Sequence, residues 1–438
     1  MRSIRVSAGI VLCAAGALLA AMATPVGAQI AHPSVVSANP ANWTPKLANL
    51  ATNTATYAFA QIGSTMYAGG QFTSVNGVAR TNIVAFNATT GALTSFKPNV
   101  NGAVWGLAPS PDGKLFVGGH FTSINGVSRR GVAKIDPVTG AVDPTFLSPL
   151  NGNVSDLKYA CGRVFVGGWF TKKLAALNPT TGADTGYLNL GISGSVSSSS
   201  GATHVYRFAV SPNCSRLVGI GNFTTVAGKT RYRAFMVALG TTSGSLDAWY
   251  YQPLTKRCAS SSVPAYLRGV DFSPDGSYFV IDGTGYVPLS GDLFVTICDA
   301  AARFETSITS PTRPTWINYT GGDTLHSVAV TGVAVYVGGH QRWLDNPYGR
   351  DSAGTGAVSR PGIGALNPAT GKALTWNPTR TRGVGAKVLH VTPAGLWVGS
   401  DTEYGGYLGC SDPQGPNDDN CAGQPREVHP GIGFLPLT

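Results

Sequence analysis

One motif, returning along the whole chain, restricts the fold more than any other feature. Phe116-Val-Gly-Gly-His-Phe-Thr-Ser-Ile-Asn-Gly126 is echoed by Tyr67-Ala-Gly-Gly-Gln-Phe-Thr-Ser-Val-Asn-Gly77 and by Phe165-Val-Gly-Gly-Trp-Phe-Thr171. Looser copies stand at Leu217–Thr225, Tyr336–His340 and Trp397–Asp401. A short apolar run that ends in glycines and a turn is how a buried β-strand stops. Recurrence at such a period means stacked copies of one small sheet. Aligning on Gly118 marks Gly69, Gly118, Gly167, Gly219, Ile281, Gly338 and Gly399, spaced by 49, 49, 52, 62, 57 and 61 residues, which is seven copies.

The second copy serves as a template. Val104–Ala108 reads as a first strand, Ser110-Pro-Asp-Gly113 as a tight turn and Lys114–Gly118 as a second strand. Val132–Asp136 is a third strand, and Asp136-Pro-Val-Thr-Gly140 turns into a fourth around Val142–Phe146. The turns carry the Pro, Asp, Asn and Gly that their geometry demands. With 57 Gly, 28 Pro and only 12% charged residues in 438, the composition favours short strands over helices. The expectation is an all-β chain, a seven-bladed β-propeller of four-stranded antiparallel blades. The last blade runs out after Ile432–Leu435, while Asn42-Trp-Thr-Pro45 matches the strand endings Ser95-Phe-Lys-Pro98 and Thr375-Trp-Asn-Pro378. An N-terminal strand is therefore expected to join the C-terminal blade and leave no long edge open. Insertions at Arg342–Arg360 and Thr402–Arg426 enlarge one side of the later blades, and the Ser/Gly-rich Gly191–Gly201 reads as a flexible connection.

The two basic residues Arg2 and Arg5, the apolar run Val6–Ala23 and the small residues Val26-Gly-Ala28 read as a secretory signal, residues 1–28, ahead of a propeller domain over 29–438. Exported chains favour disulfides, and six cysteines remain once Cys13 is removed. The pairings expected from the repeat register are Cys161 with Cys214, Cys258 with Cys298 and Cys410 with Cys421. No C-x-x-C spacing supports zinc. The full chain has 31 Lys+Arg against 21 Asp+Glu, and a surplus of this kind suits an anionic partner such as an acidic polysaccharide or cell-wall polymer. No nucleic-acid motif and no later membrane span are present, so a monomer that is secreted or associated with the cell surface is expected.

The GGxFTxxxG core, the arginine a few residues on and the A-x-N-x-x-T-G turn resemble the delta-60 type repeat of secreted bacterial propellers. That resemblance implies a propeller fold and brings no established activity. Ala365-Leu-Asn-Pro-Ala-Thr-Gly371 with Trp376 is also similar to quinoprotein propeller repeats, but the adjacent cysteines of quinoprotein alcohol dehydrogenases are missing, which leaves shared turn geometry.

In a propeller, the start of the first strand and the end of the second lie on one face of the disc. The register of Leu107 gives Phe59, Leu107, Leu157, Phe208, Val270, Val328 and Leu389, all apolar and assigned to the core. Two positions earlier stand Tyr57, Trp105, Ser155, Tyr206, Arg268, His326 and Lys387; after the glycine pair come Gln71, His120, Trp169, Asn222, Gly283, His340 and Asp401. Residues that differ from blade to blade around one opening are what a binding pocket needs. Aromatics beside Arg, Lys and His suit a sugar with acidic substituents. His120, His326 and His340 with Asp401 could hold a cation only by meeting across the channel mouth, and strand-end histidines more often bond to backbone, so neither metal nor other cofactor is expected. Arg80, Arg129, Arg233 and Arg360 recur three residues before a third strand, which suggests a repeated contact with backbone carbonyls. No G-x-S-x-G elbow, P-loop or HExxH helix occurs. The reading is a non-catalytic binding or scaffold module, the alternative being an extracellular enzyme on the same face, either a polysaccharide lyase or hydrolase or a quinone-dependent dehydrogenase.

Overall fold

In each of seven antiparallel sheets, one residue of the first strand is left out of the ladder. The computed structural model describes residues 29–50, 54–196, 201–260, 262–263, 265–380, 383–405 and 427–438. Among these, the chain is all-β apart from one 3₁₀ turn at Gln252–Thr255. The sheets begin with the strands Ala55–Ile62, Val104–Pro109, Asn153–Ala160, His204–Val210, Leu267–Phe272, Leu325–Val330 and Ala386–Thr392. They are called sheets one to seven below. Each first strand packs against the first strand of the next sheet, and that of sheet one against that of sheet seven. The seven residues in the register of Leu107 are all buried.

The skipped residue is a β-bulge at the same place every time. In sheet one Thr56 pairs with Gly70 and Ala58 with Gly69; in sheet two Val104 pairs with Gly119 and Gly106 with Gly118. Tyr57 and Trp105 are thereby left over. The other sheets leave out Ser155, Tyr206, Arg268, His326 and Lys387 in the same way. A bulge turns one side chain away from the regular alternation, which is why bulges gather near functional sites.

A glycine pair stands opposite the bulge in sheets one, two, three and six, and at least one glycine of the pair is kept in the others, sheet seven carrying Gly399 with Ser400. A Cβ on Gly119 would stand 2.2 Å from the Ala103 carbonyl oxygen, and one on Gly168 would stand 2.2 Å from that of Asn153. The first glycine of the pair serves the neighbouring sheet, since a Cβ on Gly69 would come within 2.4 Å of Val104 Cγ1. Where both glycines are present they thus serve two different close approaches.

Pairing also corrects the alignment in two sheets. Arg207 pairs with Ile220 and Gly269 with Asp282, so these residues, not Gly219 and Ile281, stand where Gly118 stands. The residue after the pair in sheet five is consequently Thr284 and not Gly283. The recurrent arginine of sheet four is Arg231: its guanidinium donates to the carbonyls of Thr230 and Asp247 at 2.9 and 3.2 Å. Arg80 does the same to Ala79 and Thr94, and Arg129 to Ser128 and Asp143. Arg360 binds Ser359 and Leu374 likewise, as a backbone-contact role requires. Arg233 instead donates to Lys256 O at 3.3 Å.

Among the described residues a regular fourth strand exists only in sheets four and five, at Gly244–Leu246 and Trp316–Tyr319. In sheets one, two, three and six it shrinks to a single bridge, such as Ile135 to Val142. Side chains there bond locally and draw the segment off the ladder: Asp143 Oδ1 accepts from Thr145 N at 2.9 Å, and Asp184 Oδ1 accepts from Gly186 N at 2.9 Å. One N–H bond to the third strand persists in each, for example Thr94 to Ala85 at 3.0 Å and Asp143 to Lys134 at 2.8 Å. Ala41 donates the corresponding bond to Phe434 O at 2.8 Å, and Ser37 donates to Pro436 O at 2.7 Å. Trp43 lies 5.8 Å from Trp397 and 5.6 Å from Phe434 between ring centroids.

Disulfides join Cys161 to Cys214 and Cys258 to Cys298. Cys410 and Cys421 fall outside the described residues. Thermal melts test the role of the glycine pair: Gly119→Ala and Gly168→Ala should each lose about 1–3 kcal/mol through overpacking against backbone. Gly113→Ala, with nothing within 4 Å of the added Cβ but a φ of +77°, should lose about 1–2 kcal/mol through backbone strain alone.

Candidate functional site

Six of the seven bulge residues belong to one cluster. Trp105 stacks on Tyr57 at 4.9 Å and on His120 at 4.8 Å, and meets Tyr206 edge-on at 6.1 Å. His120 meets Trp169 edge-on at 5.0 Å, and Trp169 stacks on His204 at 4.2 Å. His204 then meets Tyr206 at 6.1 Å, over which the Arg268 guanidinium lies at 5.0 Å. Arg268 also covers Tyr266 at 4.6 Å. These contacts run without a break from sheet one to sheet five.

Charge continues the cluster through sheets six and seven. Lys387 Nζ lies 3.7 Å from Asp401 Oδ2, and the Asp401 carboxylate accepts the backbone N–H groups of Val384 and Gly385 at 3.2 and 2.9 Å. Burial, opposed by Asp401 and reinforced by Arg268, lowers Lys387 to about 8. Burial holds His326 far below the usual histidine range, with Lys387, Arg268 and His340 adding to the effect. Burial likewise lowers His120, and brings His204 down to about 4. Tyr57 rises to about 12 through burial, with Asp401 and Tyr206 contributing, so the electrostatic contacts lead from sheet seven back to sheet one. At neutral pH these histidines are uncharged, and the cationic members are Arg268 and Lys387.

The remaining candidates lie apart. Ser155 is fully buried and donates to the carbonyls of Gly167 and Val205 at 3.1 and 2.7 Å, a link between sheets three and four. Asn222 is tied to Val196 N and Gly201 O at 2.8 and 3.0 Å and fastens the Ser/Gly-rich connection. Gln71 is exposed at its strand end. His340 Nδ1 bonds to Gly383 O, and His340 acts electrostatically on His326. Among the described residues no three His, Cys, Asp or Glu side chains converge as a cation set.

Register reading overlooked His204 and Tyr266, which stand two residues before the bulge. The signal was present there, because that position reads Ala55, Ala103, Asn153, His204, Tyr266, Thr324 and Gly385 and varies as much as the two rings do. Asp282 was overlooked as well. Its carboxylate fills the room left by Gly269, whose N–H it accepts at 2.5 Å, and lies fully buried near Arg268 and Arg207.

Within the cluster, buried Trp105 Nε1 and His120 Nε2 have no hydrogen-bond partner among the described residues. The aromatic faces are engaged with one another, so the cluster offers ring edges, N–H groups and two cations. Its chemistry suits an acceptor-rich anion better than face-stacking of a sugar.

The family model "Domain of unknown function (DUF5122) beta-propeller" matches residues 110–146. No curated protein matches the chain. Among solved structures, hydrazine synthase of Kuenenia stuttgartiensis aligns with TM-score 0.47 at 12% identity, over 81% of this chain and 94% of that one. The computationally designed protein Ika8 aligns with TM-score 0.45 at 11% identity, over 90% and 98%. Likenesses this distant carry no inference about activity.

Burial raises Asp282 to about 7, above its value near 3.8 in an unfolded chain. A carboxyl raised in this way favours folding below pH 4 and loses that contribution as pH climbs through 7. Asp282→Asn should therefore flatten the fall in Tm between pH 4 and 7, which melts across a pH series would measure; an unchanged slope would mean that Asp282 ionises normally.

Proposed function

We propose that residues 29–438 form one secreted, seven-bladed propeller whose last blade is completed by the N-terminal segment, and that it acts outside the cell as a non-catalytic binding module. The ligand is an anion-bearing polymer, such as an acidic polysaccharide or cell-wall polymer, seated on the bulge cluster. The blade count is supported by seven sheets that share one bulge and one pattern of neighbours. Completion of the ring is supported by the bond from Ala41 to Phe434, which repeats the Thr94 to Ala85 contact. Two disulfides accord with an oxidising compartment. The delta-60 type of repeat and cleavage near Ala28 belong to the same proposal.

The observation that carries the binding reading is the make-up of the cluster. Arg268 and Lys387 come from different sheets, yet both lower His326 electrostatically and Arg268 lowers Lys387, while the only carboxylate paired with Lys387 is Asp401 among the described residues. Two cations that raise each other's electrostatic cost in a buried site are stabilised when an anion arrives.

Affinity electrophoresis with polygalacturonate and, as the neutral control, dextran tests this reading. Retardation by polygalacturonate alone is expected, with at least about a tenfold loss in Arg268→Ala or Lys387→Ala, equivalent to about 1.4 kcal/mol for a charge-assisted contact. Because Lys387 loses its proton near pH 8, affinity should fall as pH rises through that value, and Lys387→Arg should remove the dependence. Equal retardation by dextran, indifference to both substitutions, or cleavage of the polymer would contradict a non-catalytic anion site. For the ring, a chain beginning at residue 47 should melt well below one beginning at residue 29; equal melting would leave the N-terminal segment without its proposed part.

A further inference from the structure

The Arg342–Arg360 insertion, which the bulge cluster does not use, shapes a cleft on the outer edge of sheets five and six. Its volume is about 200 Å³, room for roughly one sugar ring. Ile317, Asn318 and Tyr319 of the fourth strand supply the floor, and Phe294, Tyr348, Asp345 and Lys372 line the sides. Among side chains described, Phe294 and Tyr348 are the only aromatics in the exposed class, at 45% and 63%, and both stand on this cleft.

Phe294 is held there at a cost. Its φ is +62°, a left-handed conformation that a bulky residue rarely adopts, and its ring gains little burial in return. The conformation is fixed by its own N–H, which donates to the Tyr319 hydroxyl at 2.9 Å, while that hydroxyl donates to Thr296 O at 2.9 Å. The Lys256–Asp292 ion pair and the Cys258–Cys298 disulfide fasten the same loop on either side. An exposed ring in a strained, well-anchored backbone is prepared for contact with something outside the chain.

The polar side is equally fixed. Buried Asn318 donates through Nδ2 to Asp345 Oδ1 and, at 2.8 Å, to Gly371 O, and accepts from Asp345 N at 3.0 Å. Asp345 Oδ2 accepts from Ala373 N at 3.2 Å, which leaves each carboxylate oxygen with acceptor capacity facing a cleft also lined by Lys372. One acceptor group and one donor group of opposite charge, flanked by two flat apolar faces, match a ligand that is neutral overall, carries adjacent hydroxyls and has C–H faces to cover.

From this geometry we infer that the cleft binds one residue of a neutral saccharide, as a site separate from the anion-binding cluster. Phe294 and Tyr348 cover the ring's C–H faces, Asp345 accepts hydroxyl protons, and Lys372 donates to a ring or hydroxyl oxygen. The full chain would then hold a polymer at two places of different chemistry.

Saturation-transfer difference NMR with cellotriose and chitotriose tests the inference on the intact protein. Transfer to ring protons of at least one trimer is expected, and it should fall at least fivefold in Phe294→Ala/Tyr348→Ala, surface changes whose folding a melt would verify. Polygalacturonate retardation should stay as in the parent protein. Lys372→Ala, which removes only an exposed donor, should weaken transfer about twofold or more. Absence of transfer from both trimers, or transfer that survives the double substitution, would overturn the proposal.

Discussion

A bulged residue opposite a pair of glycines is the constraint from which most of this structure follows. In sheets one, two, three and six the bulge draws the backbones so close that a Cβ would clash, as the 2.2 Å separation at Gly119 shows, while Ile220, Asp282 and Ser400 each replace one glycine in the other three sheets. The adjacent glycine admits the next sheet, so one dipeptide governs both the shape within a sheet and the spacing between sheets. Because a bulge re-aims a side chain, the same dipeptide also decides which residues face the cluster. Architecture and candidate site are consequences of one local feature.

The periphery is held by a second recurrent device. Arg80, Arg129, Arg231 and Arg360 each bridge the carbonyl just before them and one in the fourth segment. In sheet two that bridge compensates for the loss of ladder pairing where Asp143 bonds locally. In sheet seven His429 takes the arginine's place and its Nδ1 meets Thr44 Oγ1 at 3.1 Å, again joining the third strand's approach to the segment that lies outside it. Backbone groups at these edges are satisfied by side chains where the ladder stops.

Much of this was legible in the sequence because steric requirements leave few choices. The glycine pair, the core register of Leu107 and the two formed disulfides could be read directly, and the variable register two residues earlier fell on the bulge in every sheet. Reading failed where one residue could substitute for a motif member. Val218-Gly-Ile-Gly221 offers two glycines, and only strand pairing shows that Ile220 takes the first position. Asp282 replaces a glycine outright because Gly269 across the ladder yields the space, an exchange invisible without pairing. Arg231 and Arg233 differ by two positions, and the carbonyl contacts decide between them. The edge cleft depends on an insertion that has no counterpart in the other repeats, so periodicity could not reveal it.

The histidines can report directly on whether distant sheets contribute to one anion site. The chain has 7 of them, and side-chain NMR of ¹³C-labelled histidine during addition of polygalacturonate would follow each. His120 of sheet two and His326 of sheet six should shift together along one saturation curve, while His32 and His429 stay still. Shifts confined to His32 or His429, or different saturation curves for His120 and His326, would contradict a single site assembled from the bulges.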